Sequence, residues 1–228
     1  MPNTYKILGI DLGACMSGNS AYIYAEVSDQ DRTIIEAFKE PKHKDHLSCQ
    51  KFIVDVFERL EVDAIAIDAP LSLPRPLKEP AFSPQPREGS GEIINPYLFR
   101  YTDYYLFKQF GLRPMPPAGD RIGRLTARAI ALLHHFKYQF PHIIVNDKKI
   151  PIYEVYPKQI AQALGFINYK KVPQDVLQHF RQTENLDEHL VDALLCAHAG
   201  AQILQGNTTQ PPDHVQNEGW CFPLLTRK

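Results

Sequence analysis

The chain has 228 residues, with 25 Lys and Arg against 26 Asp and Glu and a formal charge of −1. At 44% hydrophobic and 22% charged, its composition is that of a soluble globular protein with a sizeable core. The even balance excludes a protein held on nucleic acid by bulk charge and leaves room only for a local basic patch. This length suits one large domain over 1–228, carrying an insertion at about 70–147, better than two full domains.

Lys6 to Ile10 is a compact apolar run ending at Asp11, and Ala21 to Val27 is rich in Tyr, Ile and Val. They read as two strands joined by a Gly- and Ser-containing loop. A turn at Asp29–Arg32 and a third strand at Thr33–Phe38 follow. His46 to Leu60 places Phe52, Ile53, Val56, Phe57 and Leu60 at helical spacing. Val62 to Ile67 is a fourth strand, and it also ends in a carboxylate, Asp68.

Between Pro70 and Pro117 prolines recur, and continuous regular structure is excluded. One aromatic-rich helix fits within Pro96–Phe110. Arg121 to Tyr138 predicts a clearer helix, Ile152 to Tyr156 a strand, and Lys158 to Leu164 a short helix. Asp187 to Leu204 is the last long helix, and Glu218 to Leu225 suits an edge strand. The expected class is α/β, in the order β-β-β-α-β-α-β-α, with helices on both faces of a mixed sheet and a proline-rich, partly helical insertion.

The runs ending at Asp11 and Asp68 are apolar on both faces, as strands in the middle of a covered sheet are. Ligands of such sheets sit beyond the carboxyl ends of the strands. In the last helix, Leu190-Val-Asp-Ala-Leu-Leu-Cys-Ala-His-Ala-Gly is apolar apart from Asp192 and His198. A carboxylate there needs a partner, because an isolated buried charge costs several kcal/mol. His189 and Glu188 precede Asp192 by three and four residues and share its side of the helix. An arginine is the plain alternative partner. Three aspartates at one edge repel one another, and a divalent cation relieves the repulsion by coordination. Oxygen ligands favour Mg²⁺ or Mn²⁺ over zinc. Glu154 is a possible fourth ligand, and an alternating strand equally well points it at solvent.

Three strands, a helix and a fourth strand, with Asp11 and Asp68 at strand ends and His189-Leu-Val-Asp192 in the closing helix, resemble the RNase H-like fold. The closing helix looks like that of the Holliday-junction resolvases. The ordered set Ile-Asp68-Ala-Pro, Arg100-Tyr-Thr-Asp103, Glu154-Val-Tyr-Pro157, Asp192-Ala-Leu and Glu218-Gly-Trp is similar to a family of predicted nucleases catalogued as a domain of unknown function. The resemblance implies metal-dependent phosphodiester hydrolysis, with Asp11, Asp68 and Asp192 as ligands and His189 as ligand or proton carrier. Resolvases usually have Glu where this chain has Asp68, a shorter side chain.

Arg121, Arg124 and Arg128 recur at i, i+3 and i+7, and with Arg100 they form a candidate nucleic-acid contact. A solvated charged face is the commoner meaning of such a stripe, and Arg100 and Asp103 can bridge each other. Tyr97, Phe99, Tyr101, Tyr104 and Tyr105 suit the core of the insertion better than base stacking. Two other functions fit parts of the pattern. Gly9-Ile-Asp-Leu-Gly13 resembles the first phosphate loop of the sugar-kinase, actin and chaperone ATPase superfamily, which implies a phosphotransferase-like enzyme, although no second Asp-x-Gly loop follows. A non-catalytic nucleic-acid-binding protein on the same fold is the other. Cys15, Cys49, Cys196 and Cys221 form no C-x-x-C pair. With no signal-peptide core and no uninterrupted membrane span, a cytoplasmic setting is expected.

Overall fold

The computed structural model describes residues 4–28, 32–165, 180, 186–212 and 218–224. Its elements in chain order are β1 (Tyr5–Asp11), β2 (Ala21–Val27), β3 (Arg32–Lys39), α1 (His46–Arg59), β4 (Ala64–Asp68) and α2 (Arg75–Lys78). After a 3₁₀ turn at Glu92–Ile94 come α3 (Tyr101–Phe110), α4 (Gly123–His135), β5 (His142–Val145), β6 (Lys148–Glu154), α5 (Pro157–Ala163) and α6 (Glu188–Leu204). Of the expected features, most of the turn at Asp29–Arg32 and the end of the tail at Leu225 lie outside the described residues.

The sheet order is β3-β2-β1-β4-β6-β5. β2 runs antiparallel to β1 and β3, whereas β4 is parallel to β1 and β6 parallel to β4. Three antiparallel strands followed by a parallel β4 beside β1 make the expected RNase H-like mixed sheet. β5 is an addition to the expected order. It joins β6 through Asn146-Asp147, both left-handed with φ of 47° and 63°, and Val145 pairs with Lys148. That is the geometry of a two-residue hairpin turn, and Asn and Asp tolerate it where most residues do not. The tail contributes isolated bridges, Cys221 with Glu154 and Leu224 with Thr208, in place of a regular edge strand.

Side-chain alternation divides the core in two. Ile7, Ile23, Ala25, Ala64 and Ala66 face α5 and α6, while Leu8, Ile10, Tyr22, Ile65, Ile67 and Ile152 face residues of α1 and α4. The residues of both layers are buried, so β1 and β4 are covered on both faces, as parallel neighbours usually are. α1 starts at Asp45, whose side chain accepts the Ser48 N–H at 2.8 Å, one of the end donors a helix otherwise leaves unpaired. α6 starts the same way at Asp187, which accepts from the N–H groups of His189 and Leu190.

β1 and α6 touch backbone to backbone. A Cβ placed on Gly9 would stand 2.1 Å from the Ala193 carbonyl oxygen and 2.4 Å from the Ala197 nitrogen. From the other side, a Cβ on Gly200 would meet Ile7 at 2.9 Å. Only the absence of side chains permits this approach, and it brings the first turns of α6 over the end of β1.

Candidate functional site

Asp11 and Asp68 are the last residues of β1 and β4 and are register partners across the parallel ladder. Their side chains leave the same end of the sheet, where the strand pattern placed them. α6 adds His189, whose Nδ1 lies 2.7 Å from Asp11 Oδ2. Asp192 follows on the same helix and is half-buried.

The electrostatics follow from crowding carboxylates in a partly dry place. Burial holds the Asp68 carboxyl well above the ordinary carboxylate range, and the charges of Asp11, Asp192 and Glu154 add to the effect. Burial also raises the pKa of Asp11, opposed by the hydrogen bond and charge of His189 and by Lys39. Cys196, fully buried on α6, has its thiol pushed well up by burial and then by Asp68, Asp11 and Asp192. Three aspartates thus act on one thiol and on one another.

The donor set of carboxylates and one imidazole suits Mg²⁺ or Mn²⁺ in kind and in charge. Among the described residues no three His, Cys, Asp or Glu side chains already stand at ligating separations. A cation entering here would draw the carboxylates together and relieve the repulsion recorded at Asp68.

Glu154 stands elsewhere than the sequence pattern allowed. It is buried, and Arg100 Nη1 and Nη2 donate to its two oxygens at 2.6 Å each, while the Leu71 N–H donates to Oε2 at 2.9 Å. It is neither turned to solvent nor placed as a ligand. Arg100 is the corresponding correction for nucleic-acid contact. Only 1% exposed, it also donates to both oxygens of Asp103. A buried guanidinium with two carboxylates cannot reach a phosphate backbone.

Arg128 is corrected for the same reason. It projects to the buried side of α4, forks onto Glu40 at 2.9 and 2.7 Å and reaches the Gly13 carbonyl at 2.8 Å. Arg121 and Arg124 are exposed, but α4 begins only at Gly123, so the three arginines do not form one helical stripe. Most of the aromatics pack inward: Phe99 is buried and Tyr105 packs on Trp220 at 5.0 Å, whereas Tyr97 is exposed.

Lys39 and Glu40 escape sequence reasoning, and Glu218 enters it only as part of a motif, with no role attached. Lys39 of β3 reaches Asp187 at 2.6 Å and ties the start of α6 to the sheet. Glu40 receives Arg128. Glu218 accepts the Arg75 N–H with one oxygen and the Tyr101 N–H with the other, each at 2.9 Å, and so joins the starts of α2 and α3. Asp187 alone carried a local signal, an acidic residue just before an apolar-periodic run.

Gly13 tells against a phosphate loop. Its N–H is bonded to Ser20 Oγ at 3.1 Å, and a Cβ there would meet Ser17 and Ser20 at 2.9 Å. The loop folds back on itself and spends its amide internally.

Beside Asp11 and Asp68 opens a cavity of about 250 Å³. Leu12, Pro70, Leu106, Met115, Ile122 and Leu125 supply apolar wall, and the Arg100–Asp103–Glu154 cluster also lines it. Among the described residues no helix is long and apolar enough to cross a membrane.

No family model matches the chain, and no curated protein matches it. Among solved structures, T. thermophilus RuvC in complex with a Holliday junction substrate aligns over 89% of this chain and 96% of that chain, at 15% identity and a TM-score of 0.44. The RNase H-like description rests on the strand order and register given above.

Proposed function

We propose that the chain is a divalent-cation-dependent phosphodiester hydrolase acting on nucleic acid, with Asp11, Asp68 and Asp192 as ligands for Mg²⁺ or Mn²⁺. The observation that carries this reading is the pairing of Asp11 with Asp68 at one sheet edge, where burial and like charge hold Asp68 far from its ordinary titration. A fold gains nothing in stability from such an arrangement, and perturbed carboxylates of this kind gather at functional sites. When bound, the cation would polarise a phosphoryl oxygen and ease ionisation of a water.

The protein's own groups do the rest. His189 fixes one oxygen of Asp11 through Nδ1, leaving Nε2 to exchange a proton with solvent or substrate. Lys39 anchors Asp187, which caps α6 and sets where His189 and Asp192 stand. Arg121 and Arg124, exposed at the start of α4, supply cationic contacts for a phosphate chain. The chain is read as one domain, with the segment of about 70–147 serving as the outer wall of the site.

The test pairs calorimetry with hydrolysis. Titrating Mn²⁺ into the native protein and into Asp11→Asn should show binding that the variant loses. A panel of branched DNA, single-stranded DNA, RNA and RNA/DNA hybrid, with Mg²⁺ and with Mn²⁺, should reveal cleavage that Asp11→Asn and Asp192→Asn abolish. Equal Mn²⁺ binding by native protein and variant, or cleavage that survives both substitutions, would end the assignment.

A further inference from the structure

The cavity beside the carboxylates bears on which substrate the site takes. Its Asp11 and Asp68 end carries the negative charge that would hold a cation and, through it, a phosphate. The remainder is mostly apolar wall, broken by Tyr156, Asp103 and Glu154, and the single cation lining it among the described residues, Arg100, is engaged by those two carboxylates. Among the described residues, a phosphate chain entering there would find no free positive charge. A planar heterocycle would find apolar surface on its faces and carboxylate acceptors at its edge.

Size narrows the choice. At about 250 Å³ the space lies just below the range of about 300–1,000 Å³ typical of small-molecule pockets. A space of that size takes a single base, with its sugar and phosphate left outside the walls. The walls include the loop after β1 (Leu12), the segment after β4 (Ala69, Pro70) and the stretch from Pro114 to Leu125, and they are completed by α3 (Leu106), the residues after β6 (Val155, Tyr156) and Cys221. Two of these segments directly follow Asp11 and Asp68, so a base held in the cavity would set its own phosphate at the carboxylates.

Resting on the hydrolase reading, we infer that this cavity is a nucleobase pocket, and that the substrate presents one unpaired, unstacked base next to the phosphate to be cleaved. Taking a base out of a duplex costs stacking and pairing energy, least where the base is already unpaired. Recognition would therefore favour bulges, single-stranded segments or branch points over continuous duplex. The same chemistry is offered by a free mononucleotide, and the two sources separate experimentally.

The experiment measures binding by the fluorescence of 2-aminopurine placed as the single unpaired nucleotide of a DNA duplex, with Ca²⁺ present, and compares as unlabelled competitors the same duplex carrying adenine and carrying an abasic residue at that position. The full chain should bind the base-containing duplex at least about tenfold tighter, which is about 1.4 kcal/mol. Met115→Trp and Ile122→Trp place a bulky ring in the cavity from positions that are already partly exposed. Each should reduce the preference to about twofold or less with an unchanged circular dichroism spectrum. Adenosine monophosphate should compete only weakly, whereas competition as strong as that of the oligonucleotide would assign the pocket to a free nucleotide and overturn the stated substrate. Equal affinity for base and abasic duplexes in the native protein overturns the inference without using any variant. Cleavage in Mg²⁺ that ignores the base would leave the hydrolase reading standing and remove the pocket. Base-dependent binding with no cleavage of any substrate would keep the pocket and remove the hydrolase.

Discussion

Gly9 and Ala193 lie so close that a single methyl group on the glycine would stand 2.1 Å from the alanine carbonyl oxygen. This contact fixes the distance between the end of β1 and the first turns of α6, and through it the spacing of Asp11, His189 and Asp192. Gly9→Ala should therefore act on stability and site together. Overpacking a core costs about 1–3 kcal/mol and sometimes more, and the clash here is with backbone, which has little freedom to give. Urea denaturation should show a loss at the upper end of that range or beyond, and any folded fraction should bind Mn²⁺ more weakly than the native chain. A variant of native stability would mean that α6 moves away freely.

Asp68 gives the opposite sign. Its carboxyl is raised above the unfolded value, so the native state favours the protonated form. The contribution to stability is full below the unfolded pKa and falls away as pH rises through the folded one. Without cation, Asp68→Asn should raise stability at neutral pH, seen as a higher Tm than that of the native chain. The gain should vanish in acid. Thermal melts of both proteins across pH 4 to 8 check this, and a variant less stable at pH 7 would refute it.

Added Mn²⁺ should reverse the ranking. A ligand that binds only the native state stabilises it in proportion to the logarithm of its concentration over Kd. Ionised carboxylates bind it best, so the rise in Tm should grow with pH in the native chain and be much smaller in Asp68→Asn. Differential scanning fluorimetry with and without the ion reads this directly. A rise that is the same in both proteins would place the ion elsewhere.

The arginines separate into two classes. Removing one partner of a buried pair leaves an uncompensated charge and costs about 3–5 kcal/mol, so Arg100→Gln and Arg128→Gln should both be strongly destabilising in urea melts. Arg121→Gln with Arg124→Gln should leave stability within about 0.5 kcal/mol. The latter pair should flatten the salt dependence of nucleic-acid binding, because each lost phosphate contact releases fewer counterions. An unchanged salt slope would return both residues to plain solvated surface.

Much of the sheet was legible because its signals are local. Apolar runs ending at Asp11 and Asp68 marked the two central strands, and β2 coincides with the expected Ala21–Val27. β5 was hidden because its four residues lie between Pro141 and an Asn-Asp turn that lacks the usual glycine. At the site, Asp11, Asp68, His189 and Asp192 were legible as residues that an apolar strand end or helix face could not explain otherwise. Arg100, Arg128 and Glu154 were misplaced because spacing along a helix or strand says which residues share a face, not whether that face meets solvent or a carboxylate 54 or 88 positions away. Lys39 and Glu40 gave no signal, since their partners are brought to them only by tertiary packing.

The loop after β1 is secured by Arg128, and the segment after β4 meets Glu154, which Arg100 holds. Both anchors are guanidinium groups, which keep their charge at every pH that the folded chain is expected to survive. The cationic half of the frame thus keeps its charge, while Asp11 and Asp68, which it surrounds, have raised carboxyls that respond to proton concentration. A change in metal affinity with rising pH would then point to the raised carboxyls of Asp11 and Asp68, and not to a loss of charge on the guanidinium anchors that hold the walls.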